Sequence, residues 1–448
     1  MNAFERFRQD FQGKRVLILG LGLLGRGVEV AKIFCDIGCQ VLVADKKDEG
    51  QLRPSMDKLR NFPIRFTLGT QGEELGNEAE IIIRNPAVPW SHPLLQAARR
   101  RNKSVLMDTS LFGRYFPGQI IGVTGTRGKT TTTLMIFALL SKLVDQPIIL
   151  SGNATRRANL GLLKKSSANS VAVMELSSWE LQGWREEQLS PQIAVVTNIY
   201  PDHLNRYINM GEYQADKEAI FAFQKKTDAL ILNRRNPLTR AMASKAISRI
   251  IWFSNRDLPK SWRLKIPGEH NRENAAAALQ VSRLFGLDVQ AVKPIITNFP
   301  AVEHRFETLG SLKGITFIND TASTTPTATM KALDVCPKPP ILVIGGESKR
   351  LPLSGLVKAV VKQCKALALL KGSGTQELKT ALKQRSHPPI IAEERDFSDT
   401  VLAAADYAKE GDIVLLSPAF TSFAEFANEF ERGKRFREIF TTLSKSKT

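Results

Sequence analysis

The chain has 448 residues, of which 43 % are hydrophobic and 24 % charged; this ordinary globular balance excludes disordered, collagen-like and disulfide-scaffold classes. At this length about three domains are expected. Lys and Arg outnumber Asp and Glu by 63 to 44, a formal charge of +19, which predicts anionic company: nucleotides, sugar phosphates, nucleic acid or a membrane surface. The four cysteines, Cys35, Cys39, Cys336 and Cys364, form no CxxC pair and point to reduced thiols rather than disulfides or zinc. The first ten residues carry mixed charge without an apolar core, and no uncharged apolar run approaches the roughly 18 residues of a membrane span. A soluble, cytoplasmic protein is expected.

In chain order, Val16–Leu19 reads as a strand, followed by the glycine turn of Gly20–Gly25, a helix to about Phe34 and a second strand, Val41–Asp45. Short apolar runs at Ile64–Leu68, Ile81–Ile83 and Val105–Met107 continue the alternation of buried strand and helix expected of a parallel α/β sheet. This first unit ends near Pro117. A second opens with Ile120–Thr124, a glycine loop and a helix beginning at Thr132. Its later strands are placed at Ser170–Met174, Ile193–Thr197, Ala229–Leu232 and Ile250–Phe253, before an Ala-rich helix that starts near Asn271 or Arg272. A third unit follows Glu307, with strands at Thr316–Ile318, Ile341–Ile344, Ala366–Leu370 and Ile413–Leu416. No repeat of 20 to 50 residues is evident, and the tail from Leu443 to Thr448 reads as a frayed end. The fold class is therefore α/β, with domains at residues 1–117, 118–307 and 308–448.

Two glycine motifs carry the chemistry. The first is Gly20-Leu-Gly22-Leu-Leu-Gly25, between a strand and a helix, with Asp45 twenty residues beyond Gly25. Glycines permit the tight turn, and helix-terminal amides receive phosphates, as in dinucleotide and other nucleotide-diphosphate sites. The second is Gly125-Thr126-Arg127-Gly128-Lys129-Thr130-Thr131, directly after a strand. It lacks the first glycine of GxxxxGK[ST], because Val123 stands six positions before Lys129. The phosphate cradle nevertheless has its parts: glycines that expose amides, a lysine for the β/γ-phosphates and a threonine hydroxyl for Mg²⁺. Glu175 and His203 follow at successive strand ends beside this loop. Metal coordination is favoured over a structural role, with Glu175 the better ligand because Mg²⁺ prefers hard oxygens.

Several further segments, taken in order with these, resemble the Mur ligase family, ATP-dependent amide-forming enzymes of peptidoglycan precursor synthesis. They are Glu175-Leu-Ser-Ser178, Asn198 with Asp202-His203, Gly268-Glu-His-Asn-Arg-Glu-Asn274, His304-Arg-Phe-Glu307, Asn319-Asp320 and Leu416-Ser-Pro-Ala419, and with the phosphate loop they cover nearly the whole chain. The resemblance implies an N-terminal Rossmann-like domain for the UDP moiety, a central P-loop ATPase domain with a mostly parallel sheet, and a C-terminal Rossmann-like domain for the amino-acid acceptor. The GLGLLGRG segment and Ser417–Phe423 look most like the glutamate-adding branch. The expected reaction is addition of D-glutamate to UDP-N-acetylmuramoyl-L-alanine through an acyl phosphate, with ATP and Mg²⁺; L-glutamate or another amino acid on a related UDP-muramoyl substrate is the alternative. Nucleic-acid binding, membrane insertion and stable oligomers are not expected.

The same resemblance implies roles for individual residues. Lys129 contacts the β/γ-phosphates, Thr130 and Glu175 hold one Mg²⁺, and His203 helps to hold a second together with Lys217, whose family counterpart is carbamylated. Asn271, Asn274, Arg305 and Asp320 contact ATP. Gly22, Leu23, Leu24, Asp45 and Lys46 serve the uridine end. Asn153 belongs to the muramoyl end, Thr324, Lys349 and Ser422 to the acceptor, and Ser177, Ser178 and Phe423 to the substrate site. Some positions depart from the family. The Ser-Lys-Ala-Thr that follows Asn-Asp in familiar glutamate-adding enzymes is here Thr321-Ala322-Ser323-Thr324, which removes a cation near the acceptor's carboxylates. Lys349, Thr324 and Ser422 are the candidates to compensate. Phe420 and Thr421 replace small residues, and Ala154-Thr155 replaces Ile-Gly after Asn153. A nicotinamide oxidoreductase would leave the phosphate loop, Glu175 and His203 unused, and the tryptophans and tyrosines form no base-stacking array for a nucleic-acid binder.

Overall fold

The structure is a computed structural model that describes residues 1–445 apart from 70, 71, 156, 204, 205 and 384, and without the side chain of Glu394. Three sheets follow one another along the chain. The first has the order β3-β2-β1-β4-β5, built from β1 (Arg15–Leu19), β2 (Gln40–Asp45), β3 (Ile64–Leu68), β4 (Ile81–Arg84) and β5 (Ser104–Leu106), all parallel. The second has the order β11-β10-β9-β6-β8-β7, from β6 (Gln119–Thr124), β7 (Ile148–Gly152), β8 (Val171–Glu175), β9 (Ile193–Val196), β10 (Ala229–Asn233) and β11 (Arg249–Phe253), again all parallel. The third has the order β12-β13-β17-β14-β15-β16, from β12 (Glu307–Leu312), β13 (Ile315–Asn319), β14 (Ile341–Gly345), β15 (Ala366–Leu370), β16 (Ile390–Arg395) and β17 (Ile413–Ala419); only β12 runs antiparallel.

By compactness the chain divides into two units. One comprises Met1–Ile199, Gly211–Arg263 and Arg272–Thr297; the other comprises Tyr200–Met210, Leu264–Asn271 and Asn298–Thr448. The first two sheets therefore lie in one unit and the third sheet in the other. Both faces of the third sheet are buried. Leu342, Ile344, Leu367, Leu369 and Leu415 pack on one side, and Ile341, Val343, Ala366, Ala368, Val414 and Leu416 on the other. Such two-sided burial explains why these strands read as continuous apolar runs rather than alternating ones.

Three strands went unread in the sequence, β7, β12 and β16, and each is the edge of its sheet. Edge strands bury less, so their apolar signal is weaker: β12 contains Gly310 and a shifted register, and β16 contains two shifts. Two helix starts also differ from expectation. The helix after β6 begins at Lys129 rather than Thr132, because Gly128 at φ +82° is its left-handed N-terminal cap. The Ala-rich helix begins at Glu269, after Gly268 at φ +103°. The tail is also more ordered than expected: the helix Glu429–Lys445 runs through Leu443, whereas residues 446–448 lie outside the described residues. No helix among the described residues is long and apolar enough to cross a membrane.

The N-terminal segment, unremarked as an element in the sequence, contains the helix Ala3–Phe11, capped by Asn2. Its Phe7 and Phe11 pack edge-on against Phe34 and Tyr115 at centroid separations of 5.5 to 6.3 Å. This aromatic cluster ties that helix to the helices Arg26–Asp36 and Asp108–Tyr115. Phe7 is fully buried, so Phe7→Ala is expected to cost on the order of 3–5 kcal/mol; a thermal midpoint unchanged from the parent protein would refute that packing role.

Candidate active site

Both glycine motifs lie at strand ends where their sheets reverse direction of growth, β1 between β2 and β4, and β6 between β8 and β9. Loops diverge at such a point and leave a crevice at the carboxyl edge. At the first motif the Gly22 amide donates to Asp45 Oδ2 at 3.0 Å, and the Lys47 amide donates to Asp45 Oδ1 at 3.0 Å. Asp45 is buried and fastens the turn, while Leu24 and Lys46 are exposed and Gly22 and Leu23 are half-buried around it.

The second motif is stapled to the end of β9. The Thr126 amide donates to Asn198 O at 2.8 Å and the Arg127 amide to Asn198 Oδ1 at 2.9 Å, while Thr197 Oγ1 donates to Arg127 O at 2.6 Å. Gly125 stands at φ +143°, and a side chain there would meet Thr197 Oγ1 at 2.0 Å. At Gly128 a Cβ would lie 2.2 Å from Asn274 Oδ1, so Asn274 reaches the start of the phosphate-loop helix. Lys129, Thr130 and Thr131 form that helix's first turn, where free amides and the positive end of the helix dipole favour phosphate.

Two lysines converge on this loop. Lys129 Nζ donates to Gly125 O and Thr126 O, both at 3.1 Å, and Lys217 Nζ donates to Gly125 O at 2.9 Å. Lys217 is 1 % exposed. Its ammonium also sits 4.8 Å from the Tyr213 ring centroid, and the Tyr213 hydroxyl lies 3.1 Å from Thr126 Oγ1. Tyr213 was not singled out in the sequence; its place one helical turn before Lys217 was the available signal.

Glu175 ends β8, buried and in register with Val123 of β6 and Gly152 of β7. The Asn153 amide donates to Glu175 O at 2.9 Å, which brings the expected muramoyl contact beside the expected metal ligand. Ser177 serves as N-cap of the helix Ser178–Glu186, its Oγ accepting from the Glu180 amide at 3.2 Å; Ser178 is buried at the first position of that helix. The Glu175 carboxylate and the Thr130 hydroxyl are hard oxygen donors of the kind Mg²⁺ takes, and water and phosphate oxygens would fill its other positions. Among the described residues no group of three His, Cys, Asp or Glu forms a ready metal cage. His203, at φ +54°, lies in the segment grouped with the second unit and keeps its backbone amide on Asp202 Oδ1 at 2.9 Å.

Arg26, which directly follows the first glycine motif, was missed in the sequence. Its guanidinium donates to Glu180 Oε1 at 2.7 Å, Gly152 O at 3.1 Å and Asn153 Oδ1 at 3.3 Å. Burial lowers its basicity, but the surrounding carboxylates of Glu180, Asp108 and Glu175 outweigh burial and hold it above the usual arginine value. Asp108, fully buried, accepts from the Asn159 amide and side chain, and Asn159 Oδ1 in turn accepts from the Gly152 amide at 2.6 Å. These residues fix the Gly152–Asn153 turn from both sides.

In the second unit, Asp320 at the end of β13 accepts from the Phe306 amide at 3.0 Å and the Ser417 hydroxyl at 2.7 Å. Arg305 sits half-buried between His304 at φ +67° and Phe306 at φ +47°. Thr324 Oγ1 lies 3.3 Å from Lys349 Nζ, which is also 3.4 Å from Asp202 Oδ1. Ser422 is buried, and Phe423 is exposed to 67 %. Asn271 donates its side chain to Pro267 O at 2.7 Å.

Gly128→Ala forces a left-handed backbone on a side chain that collides with Asn274, and affinity for a non-hydrolysable ATP analogue is expected to fall tenfold or more by calorimetry. Burial pushes the Asp320 carboxyl up to about 6, against hydrogen bonds from Ser323 and Ser417 that lower it. Its folded value exceeds the unfolded one of about 3.9. The neutral carboxyl is therefore the favoured folded form, and its contribution to stability is lost as pH rises from about 4 to 6. Asp320→Asn is expected to flatten the pH dependence of the thermal midpoint across that window; parallel profiles for parent and variant would contradict this.

Comparison with known proteins places the chain. Residues 14–107 match the N-terminal domain of the MurD-like Mur ligases, residues 123–263 the Mur ligase middle domain and residues 304–420 the Mur ligase glutamate ligase domain. The UDP-N-acetylmuramoylalanine--D-glutamate ligase of Roseiflexus sp. (strain RS-1) is 38 % identical over 95 % of this chain and 98 % of its own. That of Caldanaerobacter subterraneus subsp. tengcongensis is 30 % identical over 97 % and 99 %. Among solved structures, UDP-N-acetylmuramate-alanine ligase from Thermotoga maritima aligns with a TM-score of 0.63 at 20 % identity, covering 96 % of this chain and 99 % of that one. A MurF ligase from the same organism in complex with ADP aligns at 0.60 and 17 %, covering 98 % and 97 %. Those structures share the fold. With three consecutive domain matches and a full-length relative at this identity, the chain belongs to the Mur ligase family.

Proposed function

We propose that this ATP-dependent ligase adds D-glutamate to UDP-N-acetylmuramoyl-L-alanine, a step of peptidoglycan precursor synthesis, in the cytoplasm and as a monomer. The observation that carries the reading is the phosphate loop after β6, with Lys129 and Lys217 on one of its carbonyls and Glu175 and Asn153 hydrogen-bonded to each other on the adjoining strands. End-to-end similarity to relatives named as D-glutamate ligases gives the acceptor.

A carboxylate is a poor electrophile, so the L-alanyl carboxylate first attacks the γ-phosphorus of ATP and ADP leaves. The amine of glutamate then adds to the acyl carbon. The tetrahedral intermediate collapses with loss of phosphate, and the amine proton passes to solvent or a nearby base. Such chemistry depends on positioning and on neutralising phosphate charge. The amides of Gly125–Thr131 cradle the phosphates. Lys129 leaves its loop carbonyls for the β/γ-oxygens, and Asn274 borders the same turn. Thr130 and Glu175 would hold Mg²⁺, which supplies charge neutralisation at the transferred phosphoryl group. Lys217, fully enclosed, either adds its own positive charge or, as a carbamate formed with CO₂, would offer oxygens to a metal ion.

At the donor's other end, Gly22, Leu23, Leu24 and Lys46 surround the uridine site, and Asn153 meets the muramoyl group. In the second unit Asn271, Arg305 and Asp320 serve ATP, while Thr324, Lys349, Ser422 and Phe423 serve the acceptor. Phosphate release by the purified protein with ATP, Mg²⁺ and UDP-N-acetylmuramoyl-L-alanine is expected with D-glutamate and not with L-glutamate or without acceptor. Lys129→Ala is expected to lower it by at least a hundredfold. Turnover with L-glutamate alone would keep the ligase mechanism and reject the acceptor.

A further inference from the structure

Arg432, in the helix Glu429–Lys445, is 1 % exposed. Its Nε donates to Thr321 Oγ1 at 3.0 Å. One terminal nitrogen donates to Thr321 O at 3.2 Å and Phe420 O at 3.3 Å, and the other to Thr421 O at 3.3 Å. All four acceptors are neutral. Among the described residues no carboxylate forms an ion pair with it, although Glu429 and Glu425 act on it from farther away. Burial pushes the guanidinium down to about 9, so it remains a cation at neutral pH. A buried charge without an adjacent counter-ion is costly.

The two turns it grips are those of the acceptor. Thr321 leads directly into Ala322-Ser323-Thr324, and Phe420-Thr421 leads into Ser422. The turns are also tied to each other, since the Ala419 amide donates to Ser323 O at 2.9 Å. Ala322 stands where a lysine would place positive charge, and Lys349 shares its own charge with Asp202 at 3.4 Å. Arg432 is thus a cation held on both turns that, among the described residues, forms no ion pair. In a low-dielectric interior its field reaches past the neutral carbonyls it touches.

We propose that Arg432 is the positioning residue of the acceptor pocket, holding the turns that carry Thr324 and Ser422 and supplying the fixed positive charge that selects a dicarboxylate amino acid in place of a cation at position 322. The inference rests on the acceptor assignment made above. It is tested by steady-state kinetics of the full chain with D-glutamate and with D-glutamine, its isostere bearing a neutral side-chain amide, in the parent protein, Arg432→Lys and Arg432→Met. Arg432→Met is expected to raise KM for D-glutamate at least tenfold and to reduce the preference for D-glutamate over D-glutamine by a similar factor. KM for ATP and for the UDP-linked donor should stay within twofold, and Arg432→Lys should retain most of the preference. An unchanged preference in Arg432→Met, or an equal loss with every substrate, overturns the proposal. If both variants fail to fold, Ala322→Lys in the parent protein decides. A change in KM for D-glutamate below threefold supports a charge already supplied, and a tenfold improvement shows that the pocket lacked one and overturns the proposal. Absence of turnover with D-glutamate in the parent protein overturns the acceptor assignment itself, and this inference with it.

Discussion

Two ammonium groups aimed at a single carbonyl oxygen set the requirements for the first unit. Lys129 and Lys217 both donate to Gly125 O, one from the helix that starts the phosphate loop and the other from the helix Met210–Glu218. For both to reach it, the loop must turn tightly at Gly125 and Gly128, at backbone angles that a side chain resists. The loop must also be held against β9 by Thr197 and Asn198. Like charges gathered at a helix N-terminus repel one another and attract a polyanion. The geometry therefore stores in the fold an electrostatic demand that a triphosphate meets.

The first sheet is coupled to this centre by arginines. Arg26 joins the glycine turn after β1 to Gly152, Asn153 and Glu180. Arg84, buried at the end of β4, donates to Trp179 O and to Gln182 Oε1 at 2.8 Å, and its guanidinium and that of Arg99 both stack on Trp90. The helix that begins beside Glu175 is thereby gripped from the first sheet at Trp179, Glu180 and Gln182. A fork-shaped donor that bonds several acceptors in one plane suits this work better than a flexible ammonium. The glycine turn after β1 and the Gly152–Asn153 turn consequently lie in one compact unit, tied to each other through Arg26.

The second unit uses the same device under different chemistry. Arg432 grips two turns by their carbonyls, and Asp320 fastens the Phe306 amide and the Ser417 hydroxyl. Neither residue looks unusual in the sequence, where Arg432 sits among the many charges of an amphipathic helix. Asp320 was legible only because the Asn319-Asp320 pair resembles a landmark of the Mur ligase family. Arg432 was not, because burial of a helical arginine depends on which face packs inward, here against one turn 111 residues away and another 11 residues away.

The sequence by itself determined the alternation of strand and helix, the three α/β units, and both glycine motifs, because buried parallel strands need continuous apolar runs and phosphate turns need glycine at fixed spacing. Its order of motifs also carried the family. Only the tertiary structure decided the edge strands β7, β12 and β16, whose half-exposed faces leave weak patterns. It alone paired Asn153 with Glu175 through strand register, set Lys217 on Gly125 across 92 residues of chain, and turned Arg26, Arg84 and Arg432 inward. Spacing along a chain reports which face of its own element a residue occupies, whereas the partner it meets is fixed by how separate elements pack.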